Sequence, residues 1–214
     1  MKNRSKKYET QKRMILDKAS ALFWEKGYEK TSLRKIADSC GFEAPNMYNY
    51  FHNKETLFFE IIREETASIV QALTHLKEAK AGNPSERLAE LIRIHLEYNV
   101  GPKHISGGLS DSELKSLSFA HRVKVIALRR EYDNILFKIV KDGIDAGDFN
   151  GVDGKIACFA IASIIVRVRI WFSPRGRMSA KEVADNIIKL VLNGLACGSK
   201  KKAEKASDLK MRRS

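Results

Sequence analysis

The chain has few of the residues and motifs on which metalloproteins and enzymes depend. Its 214 residues include three cysteines, Cys40, Cys158 and Cys197, and their wide spacing supports neither a disulfide framework nor a zinc site. The five histidines form no i, i+4 pair with a carboxylate, and no GxSxG, HExxH or GxGxxG motif occurs. The glycine-rich residues 151–155 lack the Ser or Thr that a phosphate loop requires. We therefore expect no metal, no cofactor and no catalysis.

Long apolar runs are also lacking. The most apolar segment, residues 156–172, is interrupted by Arg167 and Arg169 and falls short of the ~20 apolar residues of a membrane span. The first residues, MKNRSKKYETQKR, are charged and precede no apolar segment of the kind found in signal peptides. We expect a soluble, cytoplasmic protein that makes no membrane contact.

The alternation typical of β-strands is absent, whereas apolar residues recur at helical spacing along nearly the whole chain. Glycine- and proline-rich breaks separate the periodic segments. Thr31 or Ser32 is suited to start the second helix, Pro45 to stand in the first turn of the third, and Asn53 to start the fourth. The spacing predicts an all-α protein with helices over about 9–26, 32–40, 44–51, 54–80, 85–99, 119–146, 155–172 and 179–197.

Positive charge is concentrated at the two ends of the chain. The net charge is +13, with +6 in residues 1–54, +5 in residues 198–214 and only +2 between them. Residues 198–214 are rich in lysine and poor in apolar residues, so we expect a disordered basic tail. The distribution favours attraction to nucleic-acid phosphates. The alternative is that basic termini only aid solubility.

Residues 31–54 carry the most specific pattern. Leu33, Ile36 and Cys40 lie at helical spacing and the pattern stops at Gly41, after which a second short periodic segment begins. Two short helices joined by a tight turn that contains glycine are typical of a helix-turn-helix, whose second helix enters the DNA major groove. That helix would present Asn46, Tyr48, Asn49 and Tyr50. The pattern predicts a protein that binds duplex DNA.

The same region resembles the TetR family of transcriptional regulators. The resemblance rests on Leu22-Phe23, Gly27-Tyr28, Thr31-Ser32, Ile36-Ala37, Cys40-Gly41, Tyr48-x-Tyr50-Phe51 and Lys54-Glu55-x-Leu57, within residues of about 9–69. It implies an all-α homodimer in which a three-helix DNA-binding domain precedes a ligand-binding and dimerisation domain. Members of the family usually repress transcription, and a small molecule releases them from their operator DNA. Glu43 and Pro45 depart from the usual residues, a hydroxyl residue and glycine, so the operator sequence stays open.

The resemblance also implies domain limits and contact residues. We expect a DNA-binding domain over residues 1–54, a ligand-binding and dimerisation domain over 55–197 and the basic tail over 198–214. Amides suit base edges, whereas hydroxyl and ammonium groups suit phosphates. In the alternative, Tyr48 packs inside the small domain and the two asparagines are only solvated. The candidates for DNA contact are Thr31, Ser32, Lys35, Ala44, Pro45, Asn46, Tyr48, Asn49, Tyr50 and Lys54, and Arg4, Lys6 and Lys7 of an N-terminal arm would add phosphate contacts.

The segment that follows the seventh helix resembles a branch of the family that responds to acyl-CoA thioesters. The resemblance rests on Trp171-Phe172-x-Pro174-x-Gly176, although Val166-Arg167 stands where that branch has Asn-Trp. The candidate ligand residues are Arg167, Arg169, Trp171 and Arg175, with Arg177 adding to a cationic cluster suited to CoA phosphates. In the alternative, this segment only ends a helix before a dimerisation helix. His95 lies on an apolar helix face and is expected to be a core residue rather than a ligand contact.

The partners expected from the sequence are a second copy of the chain, double-stranded DNA and a small-molecule effector. Helices 155–172 and 179–197 would form a four-helix dimer interface, with Ala157, Ala160 and Gly194 allowing close approach, and a two-fold dimer reads a pseudo-palindromic operator. Three alternatives stay open at this point: an architectural protein that binds DNA without sequence preference, a hydrophobic effector other than a CoA thioester, and activation instead of repression.

Overall fold

In the computed structural model, the described residues are 2–78, 82–100 and 114–196, with side chains described from residue 6 onward. They are α-helical apart from turns and one 3₁₀ segment, which confirms the expected all-α class. The basic tail, Cys197, His104 and the side chain of Arg4 lie outside the described residues. The helices are α1 (Lys2–Lys26), α2 (Leu33–Cys40), α3 (Ala44–Met47), α4 (Lys54–Leu73), a 3₁₀ turn (Thr74–Lys77), α5 (Pro84–Val100), α6 (Phe119–Asp145), α7 (Gly154–Trp171) and α8 (Ala180–Ala196).

Two helices differ from their expected limits. Helix α1 begins at Lys2 rather than near Glu9, so Lys6 and Lys7 are exposed helical residues and not part of an extended arm. Helix α4 ends at Leu73 rather than near residue 80, because the chain tightens into the 3₁₀ turn and becomes extended at Glu78. Within residues 2–78, 82–100 and 114–196, no helix is both long and apolar enough to cross a membrane.

Several helix ends are fixed by the local groups that the sequence offered. The Ser32 side chain accepts a hydrogen bond from the Lys35 N–H at the start of α2. Ser179 and Glu182 form a capping box at the start of α8: the Ser179 N–H donates to the Glu182 carboxylate at 2.8 Å, and the Glu182 N–H donates to the Ser179 hydroxyl at 3.3 Å. Such caps satisfy backbone N–H groups that have no partner inside the helix.

The chain divides into two compact units. Unit 1 comprises Met1–Ser68 and Lys103–Arg129, and unit 2 comprises Ile69–Pro102 and Arg130–Ser214. The first unit therefore extends past the expected limit at residue 54 and also takes in a later stretch of chain. Its core contains side chains from the first four helices together with Leu114, Leu117 and Val125. Neither the length of α4 nor the location of residues 114–129 could be deduced from local periodicity.

Unit 2 is built around α5, which packs against α7 and α8. Its core joins apolar side chains of α5, α6, α7 and α8. Arg87 on α5 is a charged residue within this interior, and its side chain is 1% exposed. Its guanidinium donates to the Leu76 carbonyl at 2.8 and 2.9 Å and to Asp142 Oδ2 at 2.8 Å. The pKa of the Asp142 carboxyl is lowered by its hydrogen bonds to Lys138 and Arg87.

Candidate nucleic-acid interface

The turn between α2 and α3 is closed by glycine. Gly41 adopts a left-handed conformation with φ of 70°, which L side chains rarely adopt. Its N–H donates to the Asp38 carbonyl at 3.2 Å, and the Phe42 N–H donates to the Ala37 carbonyl at 2.9 Å. This pairing satisfies the last carbonyls of α2 and turns the chain sharply. The pattern that predicted the turn from Gly41 is reproduced in the structure.

Helix α3 exposes the side chains that can read DNA and buries the one that anchors it. Met47 is fully buried in the core of unit 1, whereas Tyr48 is 60% exposed. Asn46 and Asn49 on either side are also exposed. The helix itself is short, Ala44–Met47, but the Tyr48, Asn49 and Tyr50 N–H groups continue to donate to carbonyls three residues earlier. The alternative in which Tyr48 packs inside the domain therefore does not hold.

Tyr50, in contrast to Tyr48, packs against other side chains of unit 1. It is half-buried, and its hydroxyl donates to Gln11 Oε1 of α1 at 2.8 Å. Its ring stacks on Tyr8, with ring centres 4.9 Å apart, and lies parallel to Phe42 at 6.2 Å. These contacts fix the end of the recognition segment against α1, so Tyr50 has a packing role in addition to the DNA contact expected of it.

Thr31 does not have the surface position expected of a DNA contact. It is 1% exposed, and its hydroxyl donates to the Gly27 carbonyl at 2.9 Å, with the Leu22 carbonyl at 3.3 Å. The hydroxyl ties the end of α1 to the start of α2. The resemblance to the TetR family assigned Thr31 to a phosphate contact, because a hydroxyl residue of the family at this position contacts phosphate.

The basic candidates lie at the edges of the motif. Lys54 is partly buried; its Nζ donates to the Tyr28 carbonyl at 3.0 Å and lies 4.0 Å from the centre of the Tyr28 ring. Lys35 is exposed on α2, next to exposed Arg34, which the sequence analysis did not single out. The remaining candidates, Ser32 and Pro45, are exposed and Ala44 is partly so.

Residues from the later part of the chain support this motif, and no local sequence signal indicated them. The Ser118 N–H donates to Glu55 Oε1 at 2.9 Å, and His121 Nδ1 lies 2.8 Å from the same oxygen. The His121 ring stacks on Phe59, with ring centres 3.8 Å apart. Burial alone would raise the pKa of the Glu55 carboxyl, but the hydrogen bonds from Ser118 and His121 hold that pKa below its ordinary value.

The four ligand candidates differ in their exposure to solvent. Arg167, Trp171 and Arg175 are exposed. Arg169 differs because the Nε and Nη1 atoms of its guanidinium are buried. Residues two apart on a helix point in nearly opposite directions, since each residue advances by about 100°. Arg169 therefore extends from a different side of the helix than Arg167 and Trp171.

A three-helix unit with a closed helix-turn-helix and exposed amide, phenol and basic side chains defines a DNA-binding protein of the helix-turn-helix class. Residues 15–61 match the family model described as bacterial regulatory proteins of the tetR family, and residues 81–195 match the tetracyclin repressor-like C-terminal domain. The chain belongs to the TetR family of transcriptional regulators. It is a transcriptional repressor by class and not an enzyme.

Similar proteins extend over nearly the whole chain. It is 25% identical over 197 residues to the fatty acid metabolism regulator protein of Bacillus subtilis, covering 91% of this chain and 98% of that protein. It is 27% identical over 186 residues to the transcriptional repressor KstR2 of Rhodococcus jostii, covering 85% of this chain and 89% of that protein. The crystal structure of Bacillus subtilis FadR in complex with stearoyl-CoA matches with a TM-score of 0.67 and 25% identity, covering 85% of this chain and 98% of that one.

Proposed function

We propose that this chain is a homodimeric repressor that binds a pseudo-palindromic operator and is released from it by an acyl-CoA thioester. The observation that carries the DNA-binding half is the exposure of Asn46, Tyr48 and Asn49 around the buried anchor Met47. The two asparagines are suited to base edges and Tyr48 to a phosphate or a thymine methyl group, while Ser32, Lys35 and Lys54 flank them as phosphate contacts. Such a repressor acts on chromosomal DNA, so we place it in the cytoplasm.

The proposed dimer uses the outer face of α7. Ile156, Phe159, Val166 and Ile170 are 41–65% exposed and recur at intervals of three, seven and four residues, which places them along one stripe of the helix. Leu190 on α8 is 65% exposed as well. An apolar stripe of this length on a monomer indicates an interface, and a two-fold pair would bury it against its own copy. Ala160 and Gly194 are exposed and allow close approach, whereas Ala157, expected to do the same, is buried within its own unit.

The dimer has a direct test. Phe159→Glu places a carboxylate in the stripe and is expected to shift the protein from dimer to monomer in light scattering at micromolar concentration. Val152→Glu, at an exposed apolar residue outside α7, is the control and should stay dimeric. A wild-type monomer under these conditions contradicts the proposal.

The proposed effector rests on similarity and on charge. The relatives include a fatty acid metabolism regulator and a structure that holds stearoyl-CoA. In this chain, exposed Arg167 and Arg175 can bind phosphates of the CoA moiety and exposed Trp171 can stack on its adenine. Trp171 also borders the apolar stripe of α7, so a hydrophobic effector without CoA is the alternative that the experiment must separate.

The experiment starts by selecting operator fragments from random genomic DNA with the full-length protein. Operator affinity is then measured by fluorescence anisotropy with no additive, with acyl-CoA thioesters of increasing chain length, with the free acids and with CoA alone. We expect release by thioesters only. Asn49→Ala should weaken operator binding about tenfold, while Gln71→Ala, at an exposed amide on α4, should not. Equal affinity for operator and random DNA supports an architectural role instead, and release by free acids alone excludes the thioester.

A further inference from the structure

The first two turns of α1, residues 2–8, form a basic extension of unit 1. They contain four lysine or arginine residues and no carboxylate. They precede residue 15, where the match to the tetR family model begins, so membership of the family does not account for them. The Lys6 and Lys7 side chains are exposed, and the Thr10 hydroxyl donates to the Lys6 carbonyl at 2.9 Å. We call residues 2–8 the basic extension.

The basic extension packs against the end of the recognition segment, residues 44–50. The Tyr8 ring stacks on the Tyr50 ring with ring centres 4.9 Å apart. One turn further along α1, Gln11 Oε1 accepts a hydrogen bond from the Tyr50 hydroxyl at 2.8 Å. Lys7 lies one turn before Gln11 on the same side of the helix, because residues four apart are neighbours on a helix surface. The extension therefore has a fixed position beside the recognition segment and is not a free arm.

The two exposed lysines of the basic extension have no acidic partner in the protein. Among the side chains that the structure describes, no carboxylate forms an ion pair with Lys6 or Lys7, whereas Arg13 on the same helix is paired with Asp17 at 2.9 Å and with Glu64 at 3.1 Å. An ammonium group on a flexible four-carbon stem can follow an anion over several ångströms. The charge of both lysines is therefore available to an anionic partner.

The location of the basic extension makes it continuous with the surface that can read DNA. Asn49 directly precedes Tyr50 and is exposed, as is Tyr48. A helix in the major groove lies between two phosphate backbones, in a groove about 12 Å wide. An element that is in ring-to-ring contact with the end of the recognition segment is therefore within reach of the phosphates at that edge of the groove.

We propose that the basic extension is a second DNA-contacting element, in which Lys6 and Lys7 bind phosphates at the edge of the groove and Tyr8 positions them. This inference rests on the proposed function, because it adds a contact to the same operator. Duplex DNA is the partner because the charges are complementary and the surface continues that of Asn49. A free arm loses conformational freedom on binding, whereas a packed helix has already lost it, so the extension contacts defined phosphates.

The test replaces single phosphates of the operator by neutral methylphosphonates and measures the affinity of the full-length protein by fluorescence anisotropy. The wild type should lose affinity at particular phosphates where the Lys6→Gln/Lys7→Gln variant shows no loss. The double variant should also make the log–log salt dependence shallower by about 0.9 for each phosphate contact removed. Lys77→Gln/Lys181→Gln, at exposed lysines of unit 2, removes the same charge and should keep the wild-type pattern.

The positioning role of Tyr8 is tested by variants that keep both lysines. Tyr8→Ala removes the ring that stacks on Tyr50 and should abolish the loss of affinity at those phosphates. Tyr8→Phe keeps the ring and should behave as the wild type. Thermal unfolding by circular dichroism identifies a temperature at which every variant is folded. If Tyr8→Ala lowers the Tm but keeps the wild-type phosphate pattern, Tyr8 is only structural and its positioning role is refuted.

The outcomes separate this inference from the proposed function. The same phosphate pattern in the wild type and in Lys6→Gln/Lys7→Gln overturns the inference, and so does an equal loss of affinity in that variant and in its unit 2 control. If the protein binds operator and random DNA equally, the proposed operator recognition fails, while the salt dependence of the same variants on random duplex DNA still tests the two lysines. If the protein binds no DNA, both proposals fail.

Discussion

Substitutions of Tyr48 and Tyr50 can test DNA contact and domain packing separately, because two identical side chains lie two residues apart in different environments. Tyr48 is 60% exposed, whereas Tyr50 is half-buried between Tyr8 and Phe42 and bonded to Gln11. Replacing each residue by alanine should therefore damage different properties of the protein. Tyr48→Ala should reduce operator affinity without loss of stability, and Tyr50→Ala should reduce stability first.

The magnitudes follow from the contacts. Truncation of a fully buried aromatic residue costs about 3–5 kcal/mol, so the half-buried Tyr50 ring accounts for about 2 kcal/mol and its hydrogen bond to Gln11 for about 1 kcal/mol. A chain of this size loses about 2–4 °C of Tm per kcal/mol, which predicts a decrease of roughly 6–12 °C for Tyr50→Ala. Tyr48→Ala should change the free energy of unfolding by no more than about 0.5 kcal/mol and weaken operator binding about tenfold.

The assay is thermal unfolding by circular dichroism together with operator anisotropy, at a temperature where every variant is folded. Tyr50→Phe keeps the stacked ring and removes only the hydroxyl, so its Tm should decrease by a third as much as that of Tyr50→Ala. Tyr98→Ala, at a partly exposed residue of α5, controls for the loss of a tyrosine elsewhere. An unchanged Tm for Tyr50→Ala combined with lost operator affinity would refute the packing role, and unchanged affinity for Tyr48→Ala would refute its contact with DNA.

Three further predictions concern charge. Lys35→Gln should make the log–log salt dependence of operator binding shallower by about 1, and an unaltered slope would exclude Lys35 as a phosphate contact. The pKa of His95 is about 4 when folded and 6.5 ordinarily, so the unfolded chain binds the proton more tightly. The free energy of unfolding, measured by urea titration, should then decrease by up to about 3 kcal/mol between pH 7 and pH 4. The decrease should be smaller in the His95→Gln variant, which lacks the titrating group. Arg87→Met should cost about 3–5 kcal/mol in the same titration, because the buried Leu76 carbonyl loses its donor and Asp142 keeps only its bond to Lys138. Arg93→Met, at an exposed residue, should cost almost nothing.

The elements that the sequence predicted well are those set by neighbouring residues. Ser32 caps α2, Gly41 ends it, Pro45 stands in the first turn of α3, and Ser179 begins the capping box of α8. Each of these signals acts on residues no more than four positions away. The start or end of the helix can therefore be predicted without knowledge of the tertiary structure. The exposure of Asn46 and Asn49 follows for the same reason, because Met47 fixes which side of a short helix faces the core.

The features that could not be predicted depend on contacts between residues that are far apart in the sequence. The first half of α1 has no apolar stripe, yet it is helical and holds Tyr50 through Tyr8 and Gln11. Thr31 and Tyr50 have the residue types expected of DNA contacts, but the sequence does not show whether a hydroxyl bonds to DNA or to another group of the protein. The contact of Glu55 with His121 joins residues 66 positions apart. Local patterns contain no information about such pairs, so neither the extent of unit 1 nor these two roles followed from the sequence.

Helix α7 shows why residues that are neighbours in sequence need not act together. Its core face contains Ile161, Ile165 and Val168, and the opposite face exposes Val166 and Ile170. A turn of 100° per residue places Arg167 outside and aims the Arg169 guanidinium inward, although both fall in one run of basic residues. The two arginines therefore belong to different environments, one at high dielectric and one at low. Salt would therefore screen a phosphate bound by Arg167, whereas salt screens the charge of the Arg169 guanidinium much less.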